Sequence, residues 1–303
     1  MTSIKTIFWN DTENRLRAFI RVILLILVAG IFANIIALVA NDLSEVLEKS
    51  FMNFLIMLAI LLSIYLVGKY IDKRKWEDFG ITFLPIKQFI YGSLLGSLLV
   101  IAIFSIQYFL GWLSLEEVKF NKFPTYTFLW VFVGQIFRYI CGSIFEEAFS
   151  RGYLLVNIAE GIKGKINSNQ SVIISYFITS SIFGLLHFVN KNASWLSSIN
   201  LILIGLLLGW MVVKTGKLHF AIGLHAFWNI FQNNVFGFAN SGKKSIVSYY
   251  SFENTGNTLW TGGEFGIEGG LLCTITILLA LFMLMYPEIL GLKKLNQKVL
   301  KSL

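Results

Sequence analysis

The sequence predicts an all-α fold: a polytopic membrane protein built as a bundle of about eight transmembrane helices. Three observations predict this class. Only 14% of the 303 residues are charged, whereas soluble proteins carry about 25%. Apolar runs long enough to cross a bilayer recur along the chain. The basic residues between these runs are unequally shared between the two sides. We treat residues 1–303 as a single membrane-embedded domain.

The predicted spans are apolar runs close to the roughly 20 residues that a helix needs to cross the hydrocarbon core. The fourth run is long enough to project beyond the bilayer, and the sixth is short. The glycine pairs Gly92/Gly96 and Gly205/Gly209 would allow neighbouring helices to approach closely. The predicted spans lie at about 17–40, 52–69, 88–112, 127–158, 171–190, 199–213, 218–238 and 267–288.

The lysines and arginines predict how the chain lies across the membrane. With the N-terminus inside, 18 of the 25 fall on the cytoplasmic side and six outside, and Arg138 lies within the fourth span. This bias predicts cytoplasmic N- and C-termini in a multi-pass protein of the cell membrane. It also explains the net charge of +8 as attraction to the inner leaflet, so we expect a lipid partner and no nucleic acid. The polar segment at about 239–266 is predicted to cap the outer face.

The stretch "IFEEAFSRGYLL" brings three ionisable side chains into the fourth span. Such residues are costly in a bilayer, so each needs a partner or a function. Successive residues of a helix are about 100° apart, so Glu146 and Glu147 point in different directions. Arg151 follows Glu147 by four residues, which is the favourable order for a structural ion pair. Glu146 is then either a polar packing contact or a general base. Arg138 lies on the same face and is a competing partner for it.

Two of the three histidines lie well inside other predicted spans. His187 follows Phe183 by four residues and Asn229 follows His225 by four, so each pair shares a helix face. His219 is expected to be an interface residue near the membrane surface. Two histidines on separate spans, with an unpaired glutamate on a third, favour a functional site over simple polar contacts. Counted from the cytoplasmic span ends, this group is expected in the cytoplasmic half of the membrane or near its midplane.

Three motifs, in this order and in this eight-span setting, resemble the CPBP family of intramembrane endopeptidases. They are Glu-Glu-x-x-x-Arg from Glu146, Phe-x-x-x-His from Phe183 and His-x-x-x-Asn from His225. The family includes CAAX prenyl proteases and bacteriocin-processing or self-immunity proteins, and the resemblance covers about 127–238. It implies a bacterial CAAX-type enzyme with an interior catalytic cavity. Such an enzyme hydrolyses a peptide bond near the membrane in a lipidated, transmembrane or bacteriocin-type peptide.

The resemblance also implies residue roles. Glu146 and His187 are expected to activate water. His225 and Asn229 are expected to form an oxyanion hole, which would stabilise the negative charge on the attacked carbonyl oxygen. The remaining motif residues are expected to support these four: Glu147, Arg151 and Phe183.

The sequence leaves the metal dependence of the reaction open. Glu146, His187 and His225 would make a zinc set of the catalytic His₂Glu kind. However, the His-Glu-x-x-His pattern is absent. Using Glu146 as a ligand would also leave only Glu147 as a base, and Glu147 is expected to be engaged. We therefore favour catalysis without a metal or other cofactor.

Two other classes of function compete with the enzyme. A secondary transporter would be expected to show internal repeats or helices broken near the midplane, and neither is visible in the sequence. A scaffold would keep the fold and bind a membrane partner without cleaving it. Intact motifs favour the enzyme over both.

Overall fold

The computed structural model describes residues 7–39, 45–82, 86–118, 125–163, 166–244 and 247–286. Within these ranges the chain is nearly all helical, which confirms the predicted all-α membrane bundle. Six helical segments are long and apolar enough to cross a membrane: Ala18–Leu38, Phe51–Asp72, Ile86–Phe109, Thr127–Ile162, Ser168–Val189 and Trp195–Thr215.

The helices follow the order of the predicted spans. They are α1 (Ala18–Val39), α2 (Glu45–Val67), α3 (Ile86–Phe109), α4 (Thr125–Glu147), α5 (Leu155–Ile162), α6 (Ser168–Leu186), α7 (Trp195–Thr215), α8 (His219–Asn229), α9 (Thr258–Thr261) and α10 (Leu271–Met285). Three π-helical segments follow α2, α4 and α8 directly: Gly68–Asp72, Ala148–Leu154 and Ile230–Val235. The second of these joins α4 to α5. Short 3₁₀ turns cover Trp76–Phe79, His187–Val189, Gly263–Phe265 and Ile267–Gly269.

Several helices differ in length from the predicted spans. The seventh segment, His219–Val235, and α10, Leu271–Met285, are both shorter than the six long ones. The prediction that the sixth span is short was wrong, because α7 has 21 residues. Ser194 explains its early start, since its side chain accepts a hydrogen bond from the Ser197 backbone N–H and so caps the helix.

Two small antiparallel sheets accompany the helices, and the second joins segments that are distant in sequence. Near the N-terminus, β1 (Trp9–Asn10) pairs with β2 (Arg15–Leu16). Beyond the end of α3, β3 (Leu113–Val118) pairs with β4 (Tyr250–Asn254). The second pairing holds the polar segment that follows α8 against the end of the bundle at which α3 ends, as expected of a cap.

The first glycine pair lies where α3 contacts α8. A Cβ atom on Gly92 would come within 2.1 Å of the Phe220 carbonyl oxygen, and one on Gly96 within 2.4 Å of the Leu224 carbonyl oxygen. These separations are far below any van der Waals contact, so only glycine allows the two backbones to approach this closely. The contact confirms the prediction for this pair. It also fixes the position of α8, which carries His225 and Asn229.

The second glycine pair sets α7 against α6. Cβ atoms on Gly205 and Gly209 would lie 3.1 Å from Ser180 and 2.9 Å from the Tyr176 ring. The same approach leaves the Gly205 carbonyl oxygen 3.4 Å from Nη2 of Arg151. Small residues on α7 therefore help to place the arginine of the first motif, and the prediction for this pair is confirmed as well.

We expect Gly96→Ala to destabilise the protein although alanine is the better helix former. The added methyl group must push α8 away from α3, and such overpacking typically costs about 1–3 kcal/mol. Gly30→Ala in α1 is the matched control, because a Cβ there meets nothing within 4 Å. That control should be neutral or stabilise the helix by about 0.5–1 kcal/mol. Thermal unfolding of the two purified variants checks this. Equal melting temperatures would contradict the close-contact interpretation.

A buried ionic cluster ties together the end of the bundle at which α1 begins. Arg21 Nη1 lies 2.6 Å from Asp72 Oδ1, and the Tyr153 hydroxyl donates to Asp72 Oδ2 at 2.7 Å. Glu160 lies 3.2 Å from Arg21 and 2.8 Å from Arg74. Because every member is paired, the cluster can be buried at this end without leaving an isolated charge.

The predicted orientation and the single domain remain predictions. Part of the charge count depends on lysines outside the described residues: Lys5, Lys119, Lys122, Lys165, Lys293, Lys294, Lys298 and Lys301. The helices do make the chain a multi-pass membrane protein.

Candidate active site

A cavity of about 220 Å³ lies where α4, α6 and α8 meet. Its walls include Glu146 from α4, Phe183 from α6, His187 from the 3₁₀ turn directly after α6, and His225 and Asn229 from α8. The structure therefore brings together all four side chains that the sequence proposed for catalysis.

Two of the three π-helical segments begin directly after cavity residues. One starts at Ala148, two residues beyond Glu146, and another starts at Ile230, next to Asn229. A π segment widens the helical turn and changes the faces on which the following residues lie. Such segments are rare and are frequently found at functional sites. Their positions favour a functional site at this cavity.

Glu147 makes the predicted ion pair with Arg151. Its Oε1 lies 3.0 Å from Arg151 Nη1, and both side chains are fully buried. The same oxygen lies 2.9 Å from Nδ1 of His225. A carboxylate only accepts hydrogen bonds, so Nδ1 must carry the proton. Glu147 thus holds the His225 ring as well as pairing with Arg151, a contact that the sequence did not reveal.

Glu146 points into the cavity and not into the protein interior. Its side chain is 35% exposed, whereas that of Glu147 is 0% exposed. Its Oε2 lies 3.8 Å from Nε2 of His225. The two adjacent glutamates therefore differ as their helical phase predicts: Glu147 is enclosed with an arginine, and Glu146 faces the cavity.

His187 is held by the backbone of its own motif. Its Nδ1 lies 2.7 Å from the Phe183 carbonyl oxygen. A carbonyl oxygen only accepts, so Nδ1 donates, and in the neutral ring Nε2 keeps a lone pair. The ring therefore presents a proton-accepting nitrogen.

Phe183 packs among the polar groups of the site. Its ring centroid lies 4.8 Å from that of His187 and 6.0 Å from that of His225. The guanidinium carbon of Arg151 lies 4.3 Å from the same centroid, in cation–π geometry. A phenyl ring here separates the two imidazoles and covers the arginine, which explains why an aromatic residue precedes the histidine by one turn.

The Asn229 amide is hydrogen-bonded to a residue that the sequence did not single out. Its Oδ1 accepts a hydrogen bond of 2.8 Å from Nδ2 of Asn240. This leaves Nδ2 of Asn229 as a donor. Ser241 and Glu268 also line the cavity. All three lie in or near a polar segment without a recognisable motif, so the sequence offered no signal for them.

The cavity extends further than the predicted depth. The charge distribution assigns one end of the bundle to the outside, and Asn190 and residues 240–243 belong to that end. The cavity is lined there by Asn190, Asn240, Ser241 and Lys243. The predicted depth rests on counting residues along continuous α-helices. However, α6 ends at Leu186, and His187 lies in the 3₁₀ turn that follows it.

Two other polar residues of the spans have simple roles. Arg138 lines the cavity, and its Nη1 donates to Oε1 of the buried Gln135 at 2.9 Å. This bond engages the cation that the sequence placed in competition for Glu146. His219 is the first residue of α8 and does not line the cavity.

The zinc alternative stays a prediction. Among the described residues, no three His, Cys, Asp or Glu side chains are grouped so that they could hold a metal ion.

A second, largely apolar cavity of about 320 Å³ adjoins the first. It shares Glu146, Phe183 and His187 with it, and its other walls include Ile26 and Leu186. Leu186 is 64% exposed and Ile26 is 51% exposed on the outer surface of the bundle. An apolar group can therefore approach Glu146 from the surface that faces lipid.

Comparison with known proteins agrees with the three motifs. A family model described as type II CAAX prenyl endopeptidase Rce1-like matches residues 126–231, which contain all of them. The uncharacterized protein YyaK of Bacillus subtilis (strain 168) is 24% identical over 224 residues, which cover 72% of this chain and 71% of that protein. No solved structure matches the chain. Residues 126–231 are therefore similar to type II CAAX prenyl endopeptidases of the Rce1-like kind, which supports a CAAX-type intramembrane protease.

Proposed function

We propose that the chain hydrolyses a peptide bond near the membrane in a lipidated, transmembrane or bacteriocin-type peptide. One observation carries this proposal: Glu146, His187, His225 and Asn229, from three helices, line one cavity of about 220 Å³. A carboxylate and an imidazole with a free nitrogen can activate water. Histidine and asparagine N–H groups beside them can stabilise the oxyanion that forms. Proton acceptors and hydrogen-bond donors are thus both within reach of one substrate carbonyl.

The first step is the attack of water on the carbonyl carbon. Glu146 removes one proton from the water, and Nε2 of His187 accepts a hydrogen bond from its other proton, which orients the oxygen lone pair. A bond forms between the water oxygen and the carbonyl carbon. The π electrons of the carbonyl move onto its oxygen, which becomes negatively charged.

The oxyanion is stabilised by His225 and Asn229. Nδ2 of Asn229 is a donor because its Oδ1 is engaged by Asn240. His225 donates from Nε2 when its ring is protonated, since Nδ1 already donates to Glu147. In the second step the carbonyl re-forms, the carbon–nitrogen bond breaks, and Glu146 returns its proton to the leaving amine.

The apolar cavity suggests how substrate is held. Lipid chains and apolar side chains of a transmembrane peptide match its walls, and a peptide entering from the lipid-facing surface would meet Glu146 directly. The polar cavity then receives the scissile peptide group. The division between apolar and polar walls fits a substrate that is itself embedded in the membrane.

The experiment that tests the proposal uses the purified chain in proteoliposomes with a panel of transmembrane and lipidated peptides. We expect at least one peptide to be cleaved, at a rate that a strong chelator does not change. Mass spectrometry of the fragments identifies the bond. Loss of activity on chelation, restored by zinc, would overturn the metal-free route. Tight binding of peptides without any cleavage would instead favour a scaffold.

A further inference from the structure

We propose that Asn240 is a positioning residue that holds the Asn229 side-chain amide with its Nδ2 directed into the cavity. The inference rests on the proposed function, in which Asn229 donates to the oxyanion. Asn240 lies outside residues 126–231, which the family model matches. Its role would therefore belong to the polar segment of this chain and not to the three motifs.

The contact between the two amides is direct. Nδ2 of Asn240 donates to Oδ1 of Asn229 at 2.8 Å, and both side chains line the cavity. The terminal torsion of an asparagine has a broad, roughly two-fold preference, so its oxygen and nitrogen exchange places easily. An oxygen turned towards a developing oxyanion would repel it. The donor of Asn240 beside Oδ1 of Asn229 disfavours that flipped orientation of the amide.

Asn240 is presented by a tight turn. The backbones of Asn240 and Lys243 exchange two N–H···O bonds, both of 2.9 Å. Between them Ser241 and Gly242 have φ angles of 45° and 82°, as in a type I′ turn. The N–H and the hydroxyl of Ser241 both donate to Oε2 of the buried Glu268 at 2.8 Å. The turn is therefore anchored by a carboxylate inside the protein.

The segment that carries Glu268 is itself held by α7 and leads directly into α10. Nδ2 of Asn200 on α7 donates to the backbone oxygens of Glu268 and Gly270, at 2.8 and 2.9 Å, just before α10. A Cβ on Gly266 would lie 1.9 Å from the Ala239 carbonyl oxygen, so the two backbone segments are in direct contact. Asn240 thus reaches Asn229 from a rigid frame, which is what a positioning residue requires.

A neighbouring asparagine shows the contrast with a purely structural role. Nδ2 of Asn234 donates to the backbone oxygen of Val247 at 3.1 Å, and Asn234 does not line the cavity. The Asn234 side chain therefore stabilises the backbone of the same polar segment. Asn240 instead uses its amide on the side chain of a proposed catalytic residue.

We expect Asn240→Ala to lower kcat by about 10–100-fold, in the range seen when supporting hydrogen bonds of a site are removed. KM should stay within about twofold, because substrate binding does not require the oxyanion donor. Asn240→Asp should lower kcat further although it is nearly isosteric. Its carboxylate only accepts, so it would attract Nδ2 of Asn229 and turn Oδ1 into the cavity.

A double-mutant cycle separates positioning from a general structural effect. In an Asn229→Ala background, Asn240→Ala should reduce kcat by less than about twofold, because the amide that it orients is gone. A structural role would give the same loss in both backgrounds. Asn234→Ala is the matched control: it should lower the melting temperature and leave kcat per folded molecule unchanged.

The outcomes are distinguishable from failure of the proposed function. If the wild-type chain cleaves none of the peptides, both proposals are overturned. If wild type is active and Glu146→Gln is inactive, but the Asn240 variants keep wild-type kcat, only the positioning role is overturned. An equal loss in both backgrounds also overturns it. Should Asn240→Ala not fold, the isosteric Asn240→Asp decides the matter alone, since wild-type kcat in that variant contradicts the inference.

Discussion

Replacing Glu146 by glutamine is expected to lower the rate of peptide cleavage by about 10²–10⁴-fold, the range that general-base catalysis contributes. Glutamine keeps the size of the side chain but cannot take a proton from water. Glu146 is the glutamate exposed to the cavity and lies 3.8 Å from Nε2 of His225. Its removal should therefore affect the reaction and leave the packing of α4 intact.

Cleavage of a transmembrane reporter peptide in proteoliposomes measures this effect, and thermal unfolding reports on the fold. Glu253→Gln is the control, because Glu253 is an exposed carboxylate on β4 and does not line the cavity. It should retain wild-type activity. Undiminished cleavage by the Glu146→Gln chain would remove Glu146 from the mechanism.

Replacing Glu147 by leucine is expected to cause the largest loss of stability of any single change at the site. Arg151 would remain fully buried without its partner, and breaking a buried ion pair in this way costs about 3–5 kcal/mol. Activity should fall as well, because Nδ1 of His225 loses the oxygen that accepts its proton. Denaturation of the purified variant measures the first effect, and the cleavage rate per folded molecule measures the second.

A double variant separates the two roles of Glu147. Glu147→Leu combined with Arg151→Leu removes both charges, so stability should recover towards wild type. Cleavage should stay low, since His225 still lacks its acceptor. Recovery of stability and of activity together would show that Glu147 serves only to neutralise Arg151.

The local features of the site could be predicted from the sequence, since they depend on helical phase. Because residues four apart share a face, the Glu147–Arg151 pair and the separate direction of Glu146 followed from spacing alone. The same logic identified both glycine pairs, for which a small residue every turn permits close backbone contact. The motifs then placed His187 and His225 beside Glu146.

The contacts between distant segments could not be predicted. The hydrogen bond between Nδ1 of His225 and Oε1 of Glu147 joins residues 78 positions apart, and no spacing rule covers such a pair. Asn240 and Glu268 lie among polar residues that resemble an ordinary surface loop, so their approach to the cavity depends on tertiary packing. The greater length of α7 has a local cause, because the Ser194 cap lets the helix begin at Trp195.

The most direct measurement of the proposed activity is cleavage of one transmembrane peptide in water enriched in heavy oxygen. Wild-type chain and the Glu146→Gln variant are reconstituted side by side, and the products are weighed by mass spectrometry. We expect wild type to release two fragments whose new carboxyl terminus carries one heavy oxygen from solvent, and the variant to release almost none. An intact peptide with both chains, or equal labelled cleavage by both, would contradict water activation by Glu146.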